Sequence, residues 1–266
     1  MNKKKSILVT GAGTGLGKKA SIALAKRGHN VYATTRYEKE ALILNKIARE
    51  NKLSIKSFKL DILLAKDREK ILEFDFDIII NNAAIGDSGS VSEVRVDRFK
   101  NVFETNVFSN ICITQIAIKK FITKKQGRII FISSLFGRIS YPFLCPYCAS
   151  KFAIESLATS LRIEMKKLDY ANIEVGIIEP GAYATGFNKE NNEKKYSWMK
   201  QKSYFKYKLE TIKQTEEKVF NFIEQKNYSS IIHQYIKAVE DKKLKHRYSA
   251  PKLQAFFIQL LRIFGM

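Results

Sequence analysis

Tyr147 and Lys151 are the first candidates for chemistry, because a spacing of four residues on a helix places the phenol and the ammonium group on one face. They open an apolar-periodic segment, Tyr147 to Leu168, that follows Pro146 and predicts a helix. An ordinary tyrosine has a pKa of about 10, and a neighbouring ammonium group favours the phenolate and lowers that pKa. Such a phenol can exchange a proton with a carbonyl or alcohol oxygen. This spacing alone is common by chance, so its meaning depends on the other residues.

A glycine-rich segment near the amino terminus is a second candidate. Its residues are Thr10, Gly11, Ala12, Gly13, Thr14, Gly15, Leu16 and Gly17, in a T-G-x-x-x-G-x-G pattern. Glycines allow a tight turn and a close approach of the backbone to a pyrophosphate, whose charge is favoured at the start of a helix. Because this turn follows the first strand of a βαβ series, it predicts nucleotide binding rather than a purely structural turn.

The end of the second predicted strand bears on which nucleotide is bound. That strand ends in Ala33-Thr34-Thr35-Arg36, where a site for NAD(H) would place an acidic residue. An arginine there suits a 2′-phosphate through charge-assisted hydrogen bonds. We therefore expect NADP(H) to be favoured over NAD(H), although Glu38 lies close enough to keep NAD(H) as an alternative.

The elements that must position these residues alternate between short β-branched runs and helical patterns. The predicted strands are Ser6 to Thr10, Val31 to Thr35, Ile55 to Lys59, Asp77 to Asn81, Arg128 to Ser133 and Glu174 to Ile178. The predicted helices are Leu16 to Arg27, Glu38 to Asn51, Ala65 to Glu73, Arg98 to Thr123 and Tyr147 to Leu168. The pattern predicts an α/β fold: a doubly wound parallel sheet of Rossmann type with helices on both faces. We expect one domain, 1–266, with a helical elaboration and no strand after Pro180.

In combination, these motifs make the chain resemble the short-chain dehydrogenase/reductase family from about Lys5 to Thr185. The resemblance is carried, in chain order, by the glycine turn, Asp61, Asn81-Asn82-Ala83-Ala84, Asn106, Ser133-Ser134, Tyr147 with Lys151, and Pro180-Gly181 with Thr185. One departure is Ala84, which stands where the family has glycine.

The resemblance implies a hydride transfer between a nicotinamide cofactor and a carbonyl or alcohol. Tyr147 would be the general acid/base, and Lys151 would lower its pKa and hold the nicotinamide ribose. Ser134, rather than Ser133, would hydrogen-bond the substrate oxygen, and Asn106 would kink its helix and hold a water that relays protons to Lys151. The residues implied to contact the cofactor, beyond the glycine turn and Arg36, are Asp61, Ile62, Asn82, Ala83, Ala84, Tyr147, Lys151, Pro180, Gly181 and Thr185. No metal is implied.

The carboxyl-terminal third should shape the substrate pocket. In the resembled family the region 188–226 is a substrate lid, and here it interleaves lysines with Tyr196, Trp198, Tyr204, Phe205, Tyr207, Phe220 and Phe222. We interpret these aromatics as a bulky apolar wall, which favours a lipid, retinoid or steroid-like carbonyl or alcohol. The family also pairs long helices such as Arg98 to Thr123 and Tyr147 to Leu168 into homodimers or homotetramers.

The tail, 242–266, joins a basic run to a segment too apolar for an ordinary exposed helix and too short to span a bilayer. We favour a tail that covers the pocket or a subunit interface, and a peripheral membrane contact is the alternative. The chain carries a formal net charge of +21, with scattered lysines and no nucleic-acid-binding signature, so a specific nucleic-acid partner is disfavoured. With no signal-peptide pattern at Met1 to Lys5 and few cysteines, a cytoplasmic protein is expected, and a membrane-peripheral location is the alternative.

Two other functions compete with the oxidoreductase. One is a 3-oxoacyl thioester reductase of fatty-acid synthesis, whose compact members are shorter after the Pro-Gly turn. The other is a non-catalytic NADP(H)-sensing protein on the same fold, against which Ser134, Tyr147, Lys151 and Asn106 argue when they occur together.

Overall fold

The computed structural model describes residues 3–265, which form seven β-strands and ten α-helices. Met1, Asn2 and Met266, parts of the predicted domain 1–266 and tail 242–266, lie outside the described residues. The strands are β1 (Ser6–Val9), β2 (Asn30–Thr35), β3 (Ile55–Lys59), β4 (Ile78–Asn81), β5 (Gln126–Ile132), β6 (Asn172–Pro180) and β7 (Arg247–Ala250). The helices are α1 (Gly15–Lys26), α2 (Glu38–Glu50), α3 (Ala65–Glu69), α4 (Val96–Phe103), α5 (Ser109–Lys124), α6 (Cys145–Met165), α7 (Phe187–Lys202), α8 (Leu209–Ile223), α9 (Ser229–Glu240) and α10 (Lys252–Ile263).

The seven strands form one parallel sheet in the order β3-β2-β1-β4-β5-β6-β7. Successive residues of β1 belong to different cores: Ile7 and Val9 pack on one face of the sheet, and Leu8 packs on the other. This arrangement explains why the central strands are continuous apolar runs, since helices cover both faces. The predicted α/β doubly wound fold is confirmed.

The neighbouring strands β1 and β4 define the position of the site. From β1 the chain continues to β2 and β3 on one side, whereas β4 leads to β5 and β6 on the other. A crevice opens outside the carboxyl ends of parallel strands where the strand order reverses in this way. The glycine turn follows β1, and Asn82 to Ala84 follow β4, so both border this crevice.

The prediction of no strand after Pro180 is wrong. Residues Arg247–Ala250 form β7, which pairs in parallel with β6 at the edge of the sheet. The strand is only four residues long, it lies in a basic segment, and it alternates between buried and half-buried residues. It therefore lacks the continuous apolar run that identified the central strands.

The single long helix predicted from Arg98 to Thr123 is divided into three parts. Helices α4 and α5 are joined by a π-helical turn, Glu104–Phe108, which contains Asn106. The apolar period continues on both sides of the turn, so periodicity alone did not reveal the interruption, and only the family resemblance implied a kink at Asn106. Such π-turns occur mostly as local insertions within α-helices, frequently at functional sites.

The residues after β6 form helices around the end of the crevice and beside α1. Helix α9 packs against α1, and its Tyr235 and Ala238 are completely buried in the core beside the sheet. Between residues 3 and 265, no helix combines the length and apolar character needed to cross a membrane.

Candidate active site

The glycine turn brings backbone close to backbone at the start of α1. Gly11 has a φ of +64°, and a Cβ there would lie 2.7 Å from the Cα of Ala83. Gly15 also has a positive φ, +55°, and begins α1 without a side-chain cap from Thr14. The first N–H groups of the helix are therefore available to an anion, as a pyrophosphate requires.

Thr10 supports this turn from behind and is the one predicted cofactor residue that does not line the cavity. It is completely buried, and its hydroxyl oxygen accepts hydrogen bonds from the backbone N–H groups of Asn82 and Ala83, both at 3.0 Å. The Asn82 amide donates to the carbonyl oxygens of Thr10 and Gly11, at 2.9 and 3.0 Å. The Tyr235 hydroxyl in turn donates to Asn82 Oδ1 at 3.0 Å. These bonds hold the ends of β1 and β4 together.

One cavity of about 630 Å³ connects the glycine turn with the Tyr147 region. The other predicted cofactor residues line it: Gly11, Gly13, Thr14, Gly15, Leu16, Gly17, Arg36, Asp61, Ile62, Asn82, Ala83, Ala84, Tyr147, Lys151, Pro180, Gly181 and Thr185. Ser134 lines the same cavity. The glycine cradle, the free helix start and an extended cavity fit a dinucleotide.

Arg36 lies at the wall of the cavity but is not the only charged residue there. Its Nε donates to Asp61 Oδ2 at 3.3 Å, and its side chain is 54% exposed. Glu40, in the first turn of α2, places its carboxylate against Gly13, where a Cβ would lie 2.4 Å from Oε2. Glu40 lines the cavity, whereas Glu38, the acid that kept NAD(H) as an alternative, does not.

Tyr147 lies in the first turn of α6, half-buried at the wall of the cavity. Burial raises the pKa of Tyr147 well above its ordinary value of 10, and hydrogen bonding with the Ser134 side chain offsets part of this effect. The expected lowering of this pKa by Lys151 is therefore not observed. Desolvation disfavours the phenolate, and the Lys151 ammonium lies 5.6 Å from the centre of the Tyr147 ring. The neutral phenol is the form suited to donate a proton.

Lys151 lies one turn further along α6 and is only 3% exposed. Its Nζ donates to the carbonyl oxygen of Ile132, at the end of β5, at 2.8 Å. Burial lowers the pKa of Lys151 from 10.5 to about 8, and the nearby Glu155 carboxylate opposes that change. The sheet therefore holds the ammonium group beside Tyr147 and brings its titration close to physiological pH.

Asn106 takes a supporting position and does not line the cavity. Its Oδ1 accepts from the backbone N–H of Ile85, and its Nδ2 donates to the Ile85 carbonyl, both at 2.8 Å. Nδ2 also donates to Ser150 Oγ at 3.0 Å, and Ser150 donates to the carbonyl oxygen of Tyr147 at 2.7 Å. The predicted break in its helix is present as the π-turn. The amide links the segment after β4 to the first turn of α6.

Most of the aromatic residues predicted to form an apolar wall in the lid do not line the cavity, so that prediction is wrong for them. Of the seven lid aromatics, only Phe220 lines the cavity, while Tyr204, Tyr207 and Phe222 are more than three-quarters exposed. The other lid residues lining the cavity are polar: Asn188, Glu190, Asn191 and Asn192.

The apolar surface near Tyr147 comes instead from other segments. Phe136, Leu144 and Phe187 line the cavity, and the ring of Phe187 is 5.4 Å from that of Tyr147, centre to centre. Phe187 begins α7, immediately before the region taken as the lid, and no sequence spacing marked it. Within residues 3–265, no group of three or more His, Cys, Asp or Glu side chains is placed to hold a metal ion.

Comparison with known proteins matches most of the chain to one family. Residues 5–196 match the family model of the short chain dehydrogenases. An uncharacterized oxidoreductase of Bacillus subtilis is 37% identical over 194 residues, which cover 70% of this chain and 67% of the relative. A 3-ketodihydrosphingosine reductase of Bacteroides thetaiotaomicron is 29% identical over 189 residues, covering 70% of this chain and 66% of that protein.

Solved structures share the fold over nearly the whole chain. A short-chain dehydrogenase/reductase of Burkholderia phymatum, solved in complex with NAD, superposes with a TM-score of 0.81 over 97% of this chain and 92% of its own, at 16% identity. The family match covers the glycine turn, Ser134, Tyr147 and Lys151, all of which border one cavity. The chain therefore belongs to the short-chain dehydrogenase/reductase family and is an oxidoreductase with a nucleotide-binding Rossmann-type fold.

Proposed function

We propose that the protein is an NADP(H)-dependent oxidoreductase that interconverts a carbonyl and an alcohol on a bulky apolar substrate, such as a lipid, retinoid or steroid-like molecule. The observation that carries the proposal is the convergence of Ser134, Tyr147 and Lys151 with the glycine turn on one cavity. A nicotinamide dinucleotide bound along this cavity supplies or accepts the hydride.

The residues of the chain transfer the proton and stabilise the charge on the substrate oxygen. In the direction of reduction, the neutral Tyr147 hydroxyl donates its proton to the substrate oxygen, while Ser134 donates a hydrogen bond to the same oxygen as its negative charge develops. The Lys151 ammonium, 5.6 Å from the centre of the Tyr147 ring, places a positive charge near the phenolate that forms, and it would hold the cofactor ribose. Asn106 acts as a positioning residue through Ile85 and the Ser150 hydroxyl.

A Tyr147→Phe variant tests the catalytic assignment. Loss of the general acid should lower kcat by roughly 10²–10⁴-fold while the affinity for NADPH stays unchanged. The assay is NADPH and NADH oxidation with long-chain keto lipids, retinal, ketosteroids and 3-oxoacyl thioesters. Full activity of Tyr147→Phe would refute the role. Turnover confined to 3-oxoacyl thioesters would assign the alternative reductase, and stabilisation by NADPH without turnover of any substrate would support the sensing protein.

The preference for NADP(H) rests on Arg36, a partly exposed cation at the cavity wall. Charge-assisted hydrogen bonds to a 2′-phosphate predict that Arg36→Ala lowers the NADPH-to-NADH ratio of kcat/KM by roughly 10–100-fold. Lys39→Ala is the matched control, because Lys39 lies on the same segment and does not line the cavity. If Arg36→Ala left the NADPH-to-NADH ratio of kcat/KM unchanged, Arg36 would not be the cause of a preference for NADP(H).

The apolar substrate is supported by Phe136, Leu144, Phe187 and Phe220 around the cavity. Phe220→Ala should raise KM for a long-chain substrate several-fold, because an apolar contact is lost. Phe222→Ala is the control, since that ring is 89% exposed. Equal effects of the two substitutions would contradict the assignment of the wall.

We also propose that the chain forms a homodimer or homotetramer through its long helices. Phe152 and Ile163 on α6 and Phe108 beside α5 are each at least 41% exposed, which provides apolar surface for such a contact. Sedimentation equilibrium should give a dimer or tetramer for the unmodified chain, and the Phe152→Ser, Ile163→Ser variant should be monomeric.

A further inference from the structure

Helix α10 presents apolar side chains to solvent along one face. Leu253, Phe256, Phe257, Ile263 and the following Phe264 are each more than half exposed. At about 100° per residue, these five positions fall within an arc of about 120° around the helix axis, and therefore form one stripe on the helix. An exposed stripe of this kind marks a contact with a partner rather than an ordinary surface helix.

Polar contacts on the other side fix the rotation of this helix. The Gln254 amide donates to the carbonyl oxygen of Ile223 at 2.5 Å, and its Oε1 accepts from the backbone N–H of Ala182 at 3.1 Å. Near the other end, Gln259 Oε1 accepts from Arg138 at 3.0 Å. The two glutamines thus bond to the protein body while Phe256 and Phe257 are exposed to solvent.

The charges of the residues around α10 indicate what kind of partner it binds. From Lys242 to Gly265 the sequence contains no Asp or Glu, and Lys252 and Arg262 lie at the two ends of α10. Neither of these two cations forms an ion pair within the described part of the chain, 3–265. The whole chain carries +21, so a second copy would bring further positive charge to this face, whereas an anionic surface would neutralise it.

We propose that α10 docks on an anionic lipid bilayer, lying flat in its interface with the stripe of Leu253, Phe256, Phe257, Ile263 and Phe264 in the acyl boundary and Lys252 and Arg262 against the headgroups. The helix has twelve residues, which suits an interfacial position and is too short for a span. Phe222, at the end of α8, is 89% exposed and adjoins Ile223, whose carbonyl oxygen accepts the hydrogen bond from Gln254, so a further exposed ring lies close to α10.

Vesicle sedimentation of the full chain tests this proposal. The protein should sediment with mixed phosphatidylcholine–phosphatidylglycerol vesicles and much less with phosphatidylcholine alone. The variant Phe256→Ser, Phe257→Ser should lose roughly a hundredfold in partition coefficient, because two exposed rings leave the lipid. The matched control is Leu42→Ser, Ile43→Ser on α2, an equally exposed apolar pair, which should bind like the unmodified chain.

These variants separate the proposal from non-specific attraction, because all of them retain the charge of +21. Circular dichroism and thermal unfolding establish that each remains folded. The proposal is overturned if the α10 variant binds vesicles as well as the control does, or if the unmodified chain does not bind the mixed vesicles. It is also overturned if the α10 variant changes a dimer into a monomer while vesicle binding stays the same, since a second copy would then be the partner.

Discussion

Replacing Lys151 by methionine should make the protein more stable while it abolishes turnover. The Lys151 side chain is 3% exposed, and burial lowers its pKa from 10.5 to about 8. This difference corresponds to about 3 kcal/mol of free energy by which folding disfavours the charged amine at neutral pH. Methionine has a similar length and no charge, so it avoids this cost.

The substitution also removes one favourable contact. The hydrogen bond from Lys151 Nζ to the Ile132 carbonyl, 2.8 Å long, contributes about 1–1.5 kcal/mol. The net gain in the free energy of unfolding is therefore about 2 kcal/mol, or a rise in Tm of about 4–8 °C for a chain of this size. A catalytic group retained at a cost in stability is the usual compromise at an active site.

The stability gain of Lys151→Met should depend on pH in a direction set by the lowered pKa of Lys151. Because the pKa is lower in the folded protein, the cost of the charged Lys151 is complete below about pH 8. It decreases as the folded protein loses that proton, and it disappears once the pH exceeds the unfolded value of 10.5. Urea unfolding of both forms at several pH values, without nucleotide, measures the difference. Equal or lower stability of Lys151→Met at pH 7, or a gain that increases above pH 8, would refute the reasoning.

Three other substitutions test contacts that hold the site and its surroundings. Glu216→Gln should destabilise the protein by about 3–5 kcal/mol in urea unfolding, because it leaves the buried Lys195 ammonium, now 2.6 Å from Glu216 Oε1, without its counter-charge. Gly11→Ala should abolish NADPH binding in a fluorescence titration, because a Cβ at that positive φ would lie 2.7 Å from the Cα of Ala83. Arg128→Met should lower stability by about 2–4 kcal/mol, because its guanidinium donates to carbonyl oxygens at the end of α9.

Controls follow from the same structure. Glu190→Gln removes an exposed partner of Lys194 and should change stability by less than about 1 kcal/mol. Gly28→Ala also lies at a positive φ, +90°, but its Cβ would meet no atom within 4 Å, so NADPH binding should remain. A loss of binding in Gly28→Ala equal to that in Gly11→Ala would show that backbone strain, rather than contact with Ala83, is responsible.

The central sheet could be predicted from sequence because its physical signal is local. Strands buried on both faces require continuous apolar runs, and the run in β4 directly identified its residues. The strand β7 lacks that signal because it lies at the edge and pairs on one side with β6. The position of β7 in the sheet depends on its contacts with α9 and β6. The spacing of residues in the sequence gives no information about those contacts.

The candidate site divides in the same way. Tyr147 and Lys151 could be predicted as neighbours, since helix geometry alone sets their separation. The desolvation of the Tyr147 hydroxyl could not be predicted, and it reverses the expected direction of the pKa change. Glu40 and Tyr235 could not be predicted as site residues, because the contacts of Glu40 with Gly13 and of Tyr235 with Asn82 join residues far apart in the sequence and exist only in the folded chain.

The π-turn at Glu104–Phe108 has a consequence for insertions and deletions. A π-turn accommodates one residue more than an α-helical turn at the same place. Deleting one residue there would let α4 and α5 join as a regular helix with their buried faces in phase, whereas a deletion within α5 would rotate every following side chain by about 100°. The shortened turn would nevertheless withdraw the Asn106 amide from Ile85 and Ser150. The extra residue therefore positions the Asn106 side chain, and it makes the backbone hydrogen bonding of the helix irregular at that point.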